Sequence, residues 1–533
     1  MKKKITSVFL TLLLMLPIAG AWAKTDHLKL KAEGYDSHVD LQWQAVKGAT
    51  AYQIFAREEG QKEFTLRAKT ADLHYLDFVT DLGRNIALDY KVTPVVNGHA
   101  LASSAVAHAA IHDFSDDQLV NMVQQYTFRY FWDYADAKTG LAWERNSDPK
   151  DAAIAIGGSG FGVMTIVVAA EHGWITREQA VARLTKITHF LKNAERYHGM
   201  WSHWYYASNG KTKAFSKYDD GGDLVESAFM AEGLLTVRQY FNKNNKSETA
   251  LRNTITDLWE GMDWQWYTNG QKGLTWHWSK KYGFKMNFVI HGYNECLIAY
   301  ILAESSPTHP ITKAGYNTVW AGRNSVTHRN GNIYYGMSLP LGNKEHMGGP
   351  LFFAHYSYQG LDPRGLRDQY ANYWEQNRRH TLINRAYCID NPRGYAGYGE
   401  NLWGLTASDL VPNGYGASAP NRDYGVIAPT AALSSMPYAP AESMKVLKNL
   451  YRNFGKDTFG KYGFYDAVKP ALRGTSTPWV RKNYLAIDQG PIVNMMENYR
   501  SGLLWNNFMK NKEILKGLQK LGFTRHGKTI AVQ

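Results

Sequence analysis

The sequence predicts a multidomain protein in which a small all-β sandwich is followed by a large all-α toroid. Apolar residues alternate with polar ones from residue 26 to about 112, which is the period of half-buried strands. From Asp113 onwards they recur at helical spacing, in segments separated by long loops rich in Gly, Trp, His and Asn. These helical segments are apolar over much of their circumference, which indicates burial on two sides, as in two concentric layers of helices.

The first 23 residues have the features of a cleavable signal peptide. Lysines at positions 2 to 4 precede an apolar stretch, and the segment Ala-Trp-Ala that ends at residue 23 fits the small-x-small cleavage rule. The two cysteines, Cys296 and Cys388, lie far downstream, so no lipid-bearing cysteine is expected at the new N-terminus. Later apolar stretches are too short to span a bilayer. We therefore expect export to the periplasm or the medium without a membrane anchor.

The β region, residues 24–112, reads as short strands joined by tight turns. The segments HVDLQW and AYQIFA alternate on either side of a turn at Lys47-Gly48, and LDYKVTPVV precedes a turn at Asn97-Gly98. With an early Trp43 and a later Tyr90, the region resembles a fibronectin type III or immunoglobulin-like module.

The α region, residues 113–533, begins with a helix that Ser115 caps. Further helices are predicted at FGVMTIVVAAEHGW, SAFMAEGLLTVRQYF, NECLIAYILAES and IVNMMENYRSGLLW. We find no sharp internal repeat of the kind that indicates a solenoid.

Charge argues against nucleic acid as the partner, and the aromatic content alone does not decide between a glycan-binding surface and a core. The formal charge is +13, but Lys and Arg are scattered, which is typical of a solvated basic surface rather than a nucleic-acid-binding patch. Aromatic residues make up 14% of the chain, and their faces can stack on sugar rings or fill a core. Both cysteines lie in apolar or aromatic segments, so we expect buried free thiols and no disulfide.

The segment KYDDGGDLVESAFMAEGLL, residues 217–235, concentrates acidic residues before a helix. Asp223 and Glu226 are spaced as a capping box with an acidic cap, which leaves Asp219 and Asp220 unexplained. Acids at a helix N-terminus are held ionised by the helix dipole and by backbone N–H donors. They therefore suit the binding of sugar hydroxyls or the activation of water, and suit proton donation poorly.

A second acid, Glu295, lies in FVIHGYNECLIAYILA, residues 288–303. It shares helical spacing with the apolar Ile298 and Leu302, so it should project from an apolar face, where burial raises the pKa of a carboxyl toward that of a general acid. The alternative is a core or first-turn glutamate without a catalytic role. His291 is spaced to pair with Glu295 on a metal, but no second His lies at ligand spacing, so we expect no metal and no cofactor.

A third acid, Asp488, comes just before Gly490-Pro491, where proline would occupy the first turn of a helix. The alternative is a loop acid near that cap. Polar and aromatic candidates for sugar binding are Trp201, His203, Trp204, Trp276, His355, Tyr356, Arg385, Glu400 and Trp403.

Five blocks, in order, resemble glycoside hydrolase family 144, the bacterial glucoamylase-like proteins that act on β-1,2-glucan. They are GGSGFGVMTIVVAAEHGWITREQA, YDDGGDLVESAFMAEGLL, HGYNECLIAYILA, GGPLFFAHYSYQGLDPRG and YGENLWGLTASD, within residues 115 to 523. The resemblance implies an (α/α)6 barrel and an anomer-inverting hydrolase, with Asp219, Asp223 and Glu295 matching the acids that line the family's cleft.

Within this resemblance we assign Glu295 as the acid and Asp488 as the base, with Asp223 or Asp219 as alternative bases. The β-sandwich is either a spacer or a wall that closes one end of the cleft and presents Arg84 to the non-reducing end of the substrate. The wall predicts an exo enzyme that releases sophorose from β-1,2-glucooligosaccharides; the spacer predicts an endo-β-1,2-glucanase. More remote alternatives are a polysaccharide lyase and a non-catalytic glycan-binding protein.

Overall fold

The computed structural model describes residues 28–146, 153–323, 325, 328–410, 413–469 and 479–532, and the expected signal peptide lies outside them. The chain divides into two compact units, one ending at His112 and one beginning at Asp113. Within the described residues, no helix combines the length and the apolar character needed to cross a membrane.

The first unit is built from antiparallel strands in two sheets. One sheet has the order β1-β2-β5; the other has the order β4-β3-β6-β7, with β8 also paired to β6. The strands are β1 (Leu30–Gly34), β2 (His38–Trp43), β3 (Ala49–Glu58), β4 (Thr65–Thr70), β5 (His74–Phe78), β6 (Ala87–Val96), β7 (His99–Ala100) and β8 (Ala107–Ala110).

The core of this unit follows the predicted alternation. Val39 and Leu41 of β2 and Ile54 of β3 are buried together, and Trp43 packs against Tyr52 with ring centroids 5.5 Å apart. The apolar faces predicted from the sequence are therefore confirmed for β2 and β3.

The second unit is helical, as the sequence predicts. Its helices are α1 (Asp116–Trp132), α2 (Ile156–Glu171), α3 (Arg177–Asn193), α4 (Leu224–Tyr240), α5 (Lys246–Glu260), α6 (Leu297–Ser305), α7 (Lys313–Gly315), α8 (Tyr373–Asp390), α9 (Pro429–Leu433), α10 (Pro440–Lys448), α11 (Gly455–Thr458), α12 (Ala486–Arg500), α13 (Leu503–Phe508) and α14 (Lys512–Leu521). Ser115 caps α1 in a full capping box with Gln118, which confirms that prediction.

Short strands, paired in sheets of two or three, lie in the long loops between these helices and after α14. They are β9 (Ile154–Ala155), β10 (Trp204–Tyr205), β11 (Thr212–Lys213), β12 (Gly222–Asp223), β13 (His277–Trp278), β14 (Ile333–Tyr334), β15 (Met337–Ser338), β16 (Leu366–Arg367), β17 (Ala407–Asp409), β18 (Tyr415–Ala417), β19 (Phe459–Gly460), β20 (Gly463–Phe464), β21 (Ala467–Lys469), β22 (Trp479–Arg481), β23 (Thr524–Arg525) and β24 (Lys528–Thr529).

Helices α2, α4 and α12 pack closely enough to bring their N-terminal turns together. A Cβ at Gly160 of α2 would lie 2.6 Å from the backbone of Met230 of α4, and one at Gly490 of α12 would lie 2.5 Å from Phe161 of α2. Helix α2 is buried over its first 14 residues, so it is covered on all sides, as its apolar circumference predicts. This packing places residues of the α4 and α12 first turns near one cavity.

Candidate active site

A cavity of about 360 Å³ lies in the helical unit and is walled by acidic, basic and aromatic side chains. It is lined by Glu144, Arg145, Ala155, Gly158, His203, Trp204, Phe215, Val225, Glu226, Phe229, Trp276, Glu295, Phe352, Tyr356, Ala407, Tyr415, Leu485 and Ile487. Its size and mixed lining are typical of a small-molecule or oligosaccharide site.

Asp223 caps helix α4, as predicted. Its Oδ1 accepts the backbone N–H groups of Val225 and Glu226, both at 2.9 Å. The other half of the predicted capping box is wrong, because Glu226 turns away from the cap. Its Oε2 accepts the N–H of Gly157 at 2.6 Å, and Gly157 has no room for a side chain beside that carboxyl. Glu226 thus becomes part of the cavity wall.

The second oxygen of Asp223 is surrounded by donors. Its Oδ2 lies 3.2 Å from each of His203 Nδ1, His277 Nε2 and Trp276 Nε1. Asp219 Oδ2 faces the same two imidazoles, at 3.4 Å from His203 and 3.2 Å from His277. We call Asp219, Asp223, His203 and His277 the histidine–aspartate cluster.

Charges in this cluster oppose the effect of burial. Burial disfavours the Asp223 carboxylate, but the charge of His277 and the hydrogen bonds from both imidazoles outweigh it and lower the pKa of Asp223. Burial likewise disfavours charged imidazoles, yet the Asp223 charge and bonds to both aspartates raise the pKa of His277 to about 9. For His203, the charge of Glu226 and the bonded aspartates raise the pKa well above its usual range.

The same residues are the candidates for holding a metal. Ligand atoms of His203, Asp219 and Asp223 lie within 4.8 Å of one another. A metal binds neutral imidazole, whereas the raised pKa of His203 keeps a proton on the ring. We therefore read the group as an ion-paired network, and the absence of a metal stays a prediction.

Two glutamates that line the cavity, Glu226 and Glu295, have raised pKa values, in contrast to the lowered pKa of Asp223. Burial raises the pKa of Glu226 to about 7, with the Asp223 and Asp219 charges adding to it against the charge of His203. Burial also raises the pKa of Glu295 to about 7, and the charge of Glu226 contributes. Oε2 of Glu295 is buried without a hydrogen-bond partner among the described residues. The raised pKa that the sequence suggests for Glu295 is therefore found, in a residue that precedes α6 by two positions.

Asp488 lies deeper than these glutamates. It is the third residue of α12, and Pro491 follows inside the helix, so the predicted placement before the helix is wrong. Asp488 is 1% exposed, and its Oδ1 accepts the hydroxyl of Tyr356 at 3.3 Å. Burial and the charge of Asp466 raise its pKa well above the usual range. Tyr356 lines the cavity and connects Asp488 to it.

The predicted sugar-binding residues divide into three groups. His203, Trp204, Trp276 and Tyr356 line the cavity. Trp201, His355 and Trp403 are buried in the interior instead, where Trp201 Nε1 donates to Leu191 O and His355 Nε2 lies 2.9 Å from Ser435 Oγ. Arg385 is not among the cavity-lining residues, and Glu400 is exposed, 3.6 Å from Lys445. Arg84 belongs to the first unit, where its Nη2 lies 3.3 Å from Asp36.

Several cavity residues were not anticipated from the sequence. The sequence indicates Glu226 only as a cap partner, although an acid one turn into a helix beside a cluster of aspartates is a signal for a site residue. Phe215 is 50% exposed and stacks on His203 with centroids 4.2 Å apart. Arg145 bonds both Glu144 and Asp409, at 2.8 and 3.0 Å. The segment WERN carries these two charges without a recognisable pattern.

Comparison with known proteins gives one family. A family model described as "Putative glucoamylase" matches residues 287–512. The chain is 41% identical, over 92% of its length and 70% of the relative's, to an "Exo beta-1,2-glucooligosaccharide sophorohydrolase (non-reducing end)" from Parabacteroides distasonis.

Two solved structures are similar. A β-1,2-glucanase from Parabacteroides distasonis is 40% identical with a TM-score of 0.85, over 93% of this chain and 73% of that one. An endo-β-1,2-glucanase from Chitinophaga pinensis, solved with sophorotriose and glucose, is 50% identical with a TM-score of 0.74 over 77% of this chain and 99% of that one.

Proposed function

Because the chain belongs to glycoside hydrolase family 144, we propose that it hydrolyses β-1,2-glucooligosaccharides from the non-reducing end and releases sophorose. The observation that carries this proposal is the cavity itself, in which Glu226 and Glu295 have a pKa of about 7 among aromatic side chains suited to sugar rings. The known activities of its relatives supply the linkage.

The extent of the two matches favours the exo mode. The match to the sophorohydrolase covers 92% of the chain. This is longer than the unit that begins at Asp113, so the match includes part of the β-sandwich. The match to the endo-glucanase covers 77% of this chain and 99% of that one, which the helical unit alone can supply. The sandwich therefore accompanies the exo relative. The endo mode stays the second candidate because of the 50% identity to that enzyme.

Glu295 is the general acid in this proposal. Its pKa of about 7 keeps much of it protonated near neutral pH, and its free Oε2 can donate to a leaving oxygen. Neighbouring Glu226 contributes to that pKa through its charge. The departing sugar oxygen takes the proton of Glu295 as the glycosidic bond breaks.

Asp488 is the base in this proposal, with Glu226 as the alternative. Asp488 reaches the cavity through the Tyr356 hydroxyl, and the attacking water gives up its proton on this side. Asp223 is less suited, because its two oxygens already face five donors. We assign Asp223 and Asp219 to holding His203 and His277 in place.

The proposed architecture extends the observed one. The helices from α1 to α14 would form an (α/α)6 barrel, and the first unit a fibronectin type III or immunoglobulin-like module. Residues 1–23 would direct export to the periplasm or the medium.

The test is product analysis over time. The intact chain is incubated with linear β-1,2-glucan and with short β-1,2-glucooligosaccharides, and the products are separated by chromatography. We expect sophorose to dominate from the earliest time points. A broad spread of oligosaccharides from the polymer would establish the endo mode, and no product from either substrate would remove the proposed linkage.

A further inference from the structure

Asp466 and Asp488 form a buried acid pair behind the cavity. Asp466 is 2% exposed and Asp488 is 1% exposed, and the two side chains are hydrogen-bonded to each other. Neither Asp466 Oδ1 nor Asp488 Oδ2 accepts a hydrogen bond from an N–H or hydroxyl donor among the described residues. Two carboxyl groups can form such a bond only with a proton between them, as in the aspartic-protease dyad.

The rest of Asp466 is fixed by the backbone. Its Oδ2 accepts the N–H of Asp409 at 2.7 Å. The Asp409 side chain is in turn held by Arg145 Nη1 at 3.0 Å and by Asn483 Nδ2 at 2.8 Å, with Arg481 Nε at 3.7 Å. Asp409 therefore has cationic partners of its own, whereas Asp466 has its free oxygen for Asp488.

The charged and titratable groups around Asp488 come from several elements. The 3-10 turn Tyr356–Tyr358 contributes the Tyr356 hydroxyl, which donates to Asp488 Oδ1. Tyr415 of β18 and Asp409 of β17 also interact electrostatically with Asp488. Arg145, which lines the cavity, also interacts electrostatically with Asp466 and favours its charged form.

We propose that Asp466 is a positioning residue that shares one proton with Asp488, so that the two titrate as one unit on the base side of the reaction. This inference rests on the proposed function, in which Asp488 is the base. The pair becomes a base when it holds one proton and one negative charge. It then accepts the proton of the attacking water, whose oxygen bonds to the anomeric carbon while Glu295 protonates the leaving oxygen.

The expected consequence is a shift of the acidic limb in the pH profile of kcat/KM. Burial and the charge of Asp409 raise the pKa of Asp466 to about 7 in the native pair. In Asp466→Asn, the amide oxygen can still accept the Asp409 N–H, and the amide donates to an ionised Asp488. Removing the acidic neighbour and adding a donor should move the acidic limb down by about 1–3 pH units, with KM unchanged.

Two further variants make the test specific. Asp466→Ser also removes the neighbouring acid and should move the limb in the same direction, so the test survives if the asparagine variant does not fold. Asp423→Asn is the matched control, because Asp423 is also a buried aspartate but accepts hydrogen bonds from Tyr398 and the Gly425 N–H, and none of these residues lines the cavity. Its profile should match that of the wild type.

Each outcome decides something. If the wild type is active and the folded Asp466 variants keep its acidic limb, this inference alone is overturned. A shift of the acidic limb in Asp423→Asn equal to that in the Asp466 variants would overturn it too. Complete loss of turnover in folded Asp466→Asn would make Asp466 the base itself and overturn the positioning role. A wild type that hydrolyses no β-1,2-glucooligosaccharide would overturn the proposed function, and this inference with it.

Discussion

Asp223 and Glu226 lie three residues apart at the start of α4, and both are buried beside the same cavity, yet their pKa values move in opposite directions. Both oxygens of Asp223 face donors from the helix N-terminus and the histidine–aspartate cluster. Glu226 accepts one backbone N–H and lies among other acids. Burial alone therefore does not decide the state of a carboxyl here; the number of donors facing it does.

The two environments suit two different roles of a carboxyl group, positioning other side chains and transferring a proton. The histidine–aspartate cluster consists of charges that neutralise each other, which suits holding side chains in place. The glutamates Glu226 and Glu295 retain protons near neutral pH, which suits proton transfer.

The largest effect is expected for Glu295→Gln. A positioned acid contributes roughly 10²–10⁴-fold, so kcat should fall by at least that factor while substrate binding is retained. Steady-state kinetics and calorimetric binding of a β-1,2-glucooligosaccharide measure the two quantities. Glu304→Gln is the control, because Glu304 is a buried glutamate on α6 that does not line the cavity, and it should leave kcat near the wild-type value. Near wild-type turnover in Glu295→Gln would remove the acid assignment.

Replacing Asp223 and replacing Glu226 should lower the free energy of unfolding by different amounts. Asp223→Asn keeps a side-chain oxygen for the N-cap but leaves the buried imidazoles His203 and His277 without a full counter-charge, so it should lower the free energy of unfolding by about 3–5 kcal/mol. Glu226→Gln removes a weaker ionic contact, because His203 Nε2 lies 3.9 Å from the Glu226 carboxyl. It should therefore lower the free energy of unfolding far less than Asp223→Asn does. Urea unfolding of both variants checks this. Equal losses would contradict the division.

The cluster should also give the protein a dependence of stability on alkaline pH. The pKa of His277 is about 9 in the folded chain, above its ordinary value of 6.5. Its contribution to stability is therefore complete below pH 6.5 and is lost as the pH rises through about 9. Thermal unfolding midpoints measured from pH 6 to 10 should fall in the wild type and fall less in His277→Gln. Parallel curves for the two proteins would show that His277 is not the group responsible.

The smallest effect is expected in the β-sandwich. If the first unit binds the non-reducing end, Arg84→Ala should raise KM for short oligosaccharides by about fivefold, because the loss of one solvent-accessible hydrogen bond costs about 1 kcal/mol. The change in kcat should be smaller. Arg57→Ala is the control, since Arg57 pairs with Asp89 in the same unit. An unchanged KM in Arg84→Ala, together with mixed products from the polymer, would indicate that the sandwich is a spacer.

Local features were predictable from the sequence because their causes are local. The Asp223 and Ser115 caps follow from residue type at a helix start, and the apolar circumference of α2 predicts its burial. The raised pKa of Glu295 follows from its burial, which the apolar residues around it in the sequence predict, although the residue precedes α6 rather than lying on it.

Other features depend on contacts between distant segments, which spacing does not encode. The partner of Glu226 is the N–H of Gly157, and the partner of Asp488 is Asp466, which follows β20 in a separate loop. Aromatic residues are ambiguous for a different reason: the same ring that stacks on a sugar also fills a core. Trp201 and Trp403 are buried completely, whereas Trp276 reaches the cavity.

The central claim is that Glu295 acts from one side of the scissile bond and a water molecule attacks from the other, releasing a disaccharide. Proton NMR of a short β-1,2-glucooligosaccharide, recorded in the first minutes of hydrolysis, tests this most directly. We predict that sophorose appears first as the α-anomer, because inversion converts a β linkage into an α product. Sophorose that appears first as the β-anomer, or a first product of another length, would contradict the account.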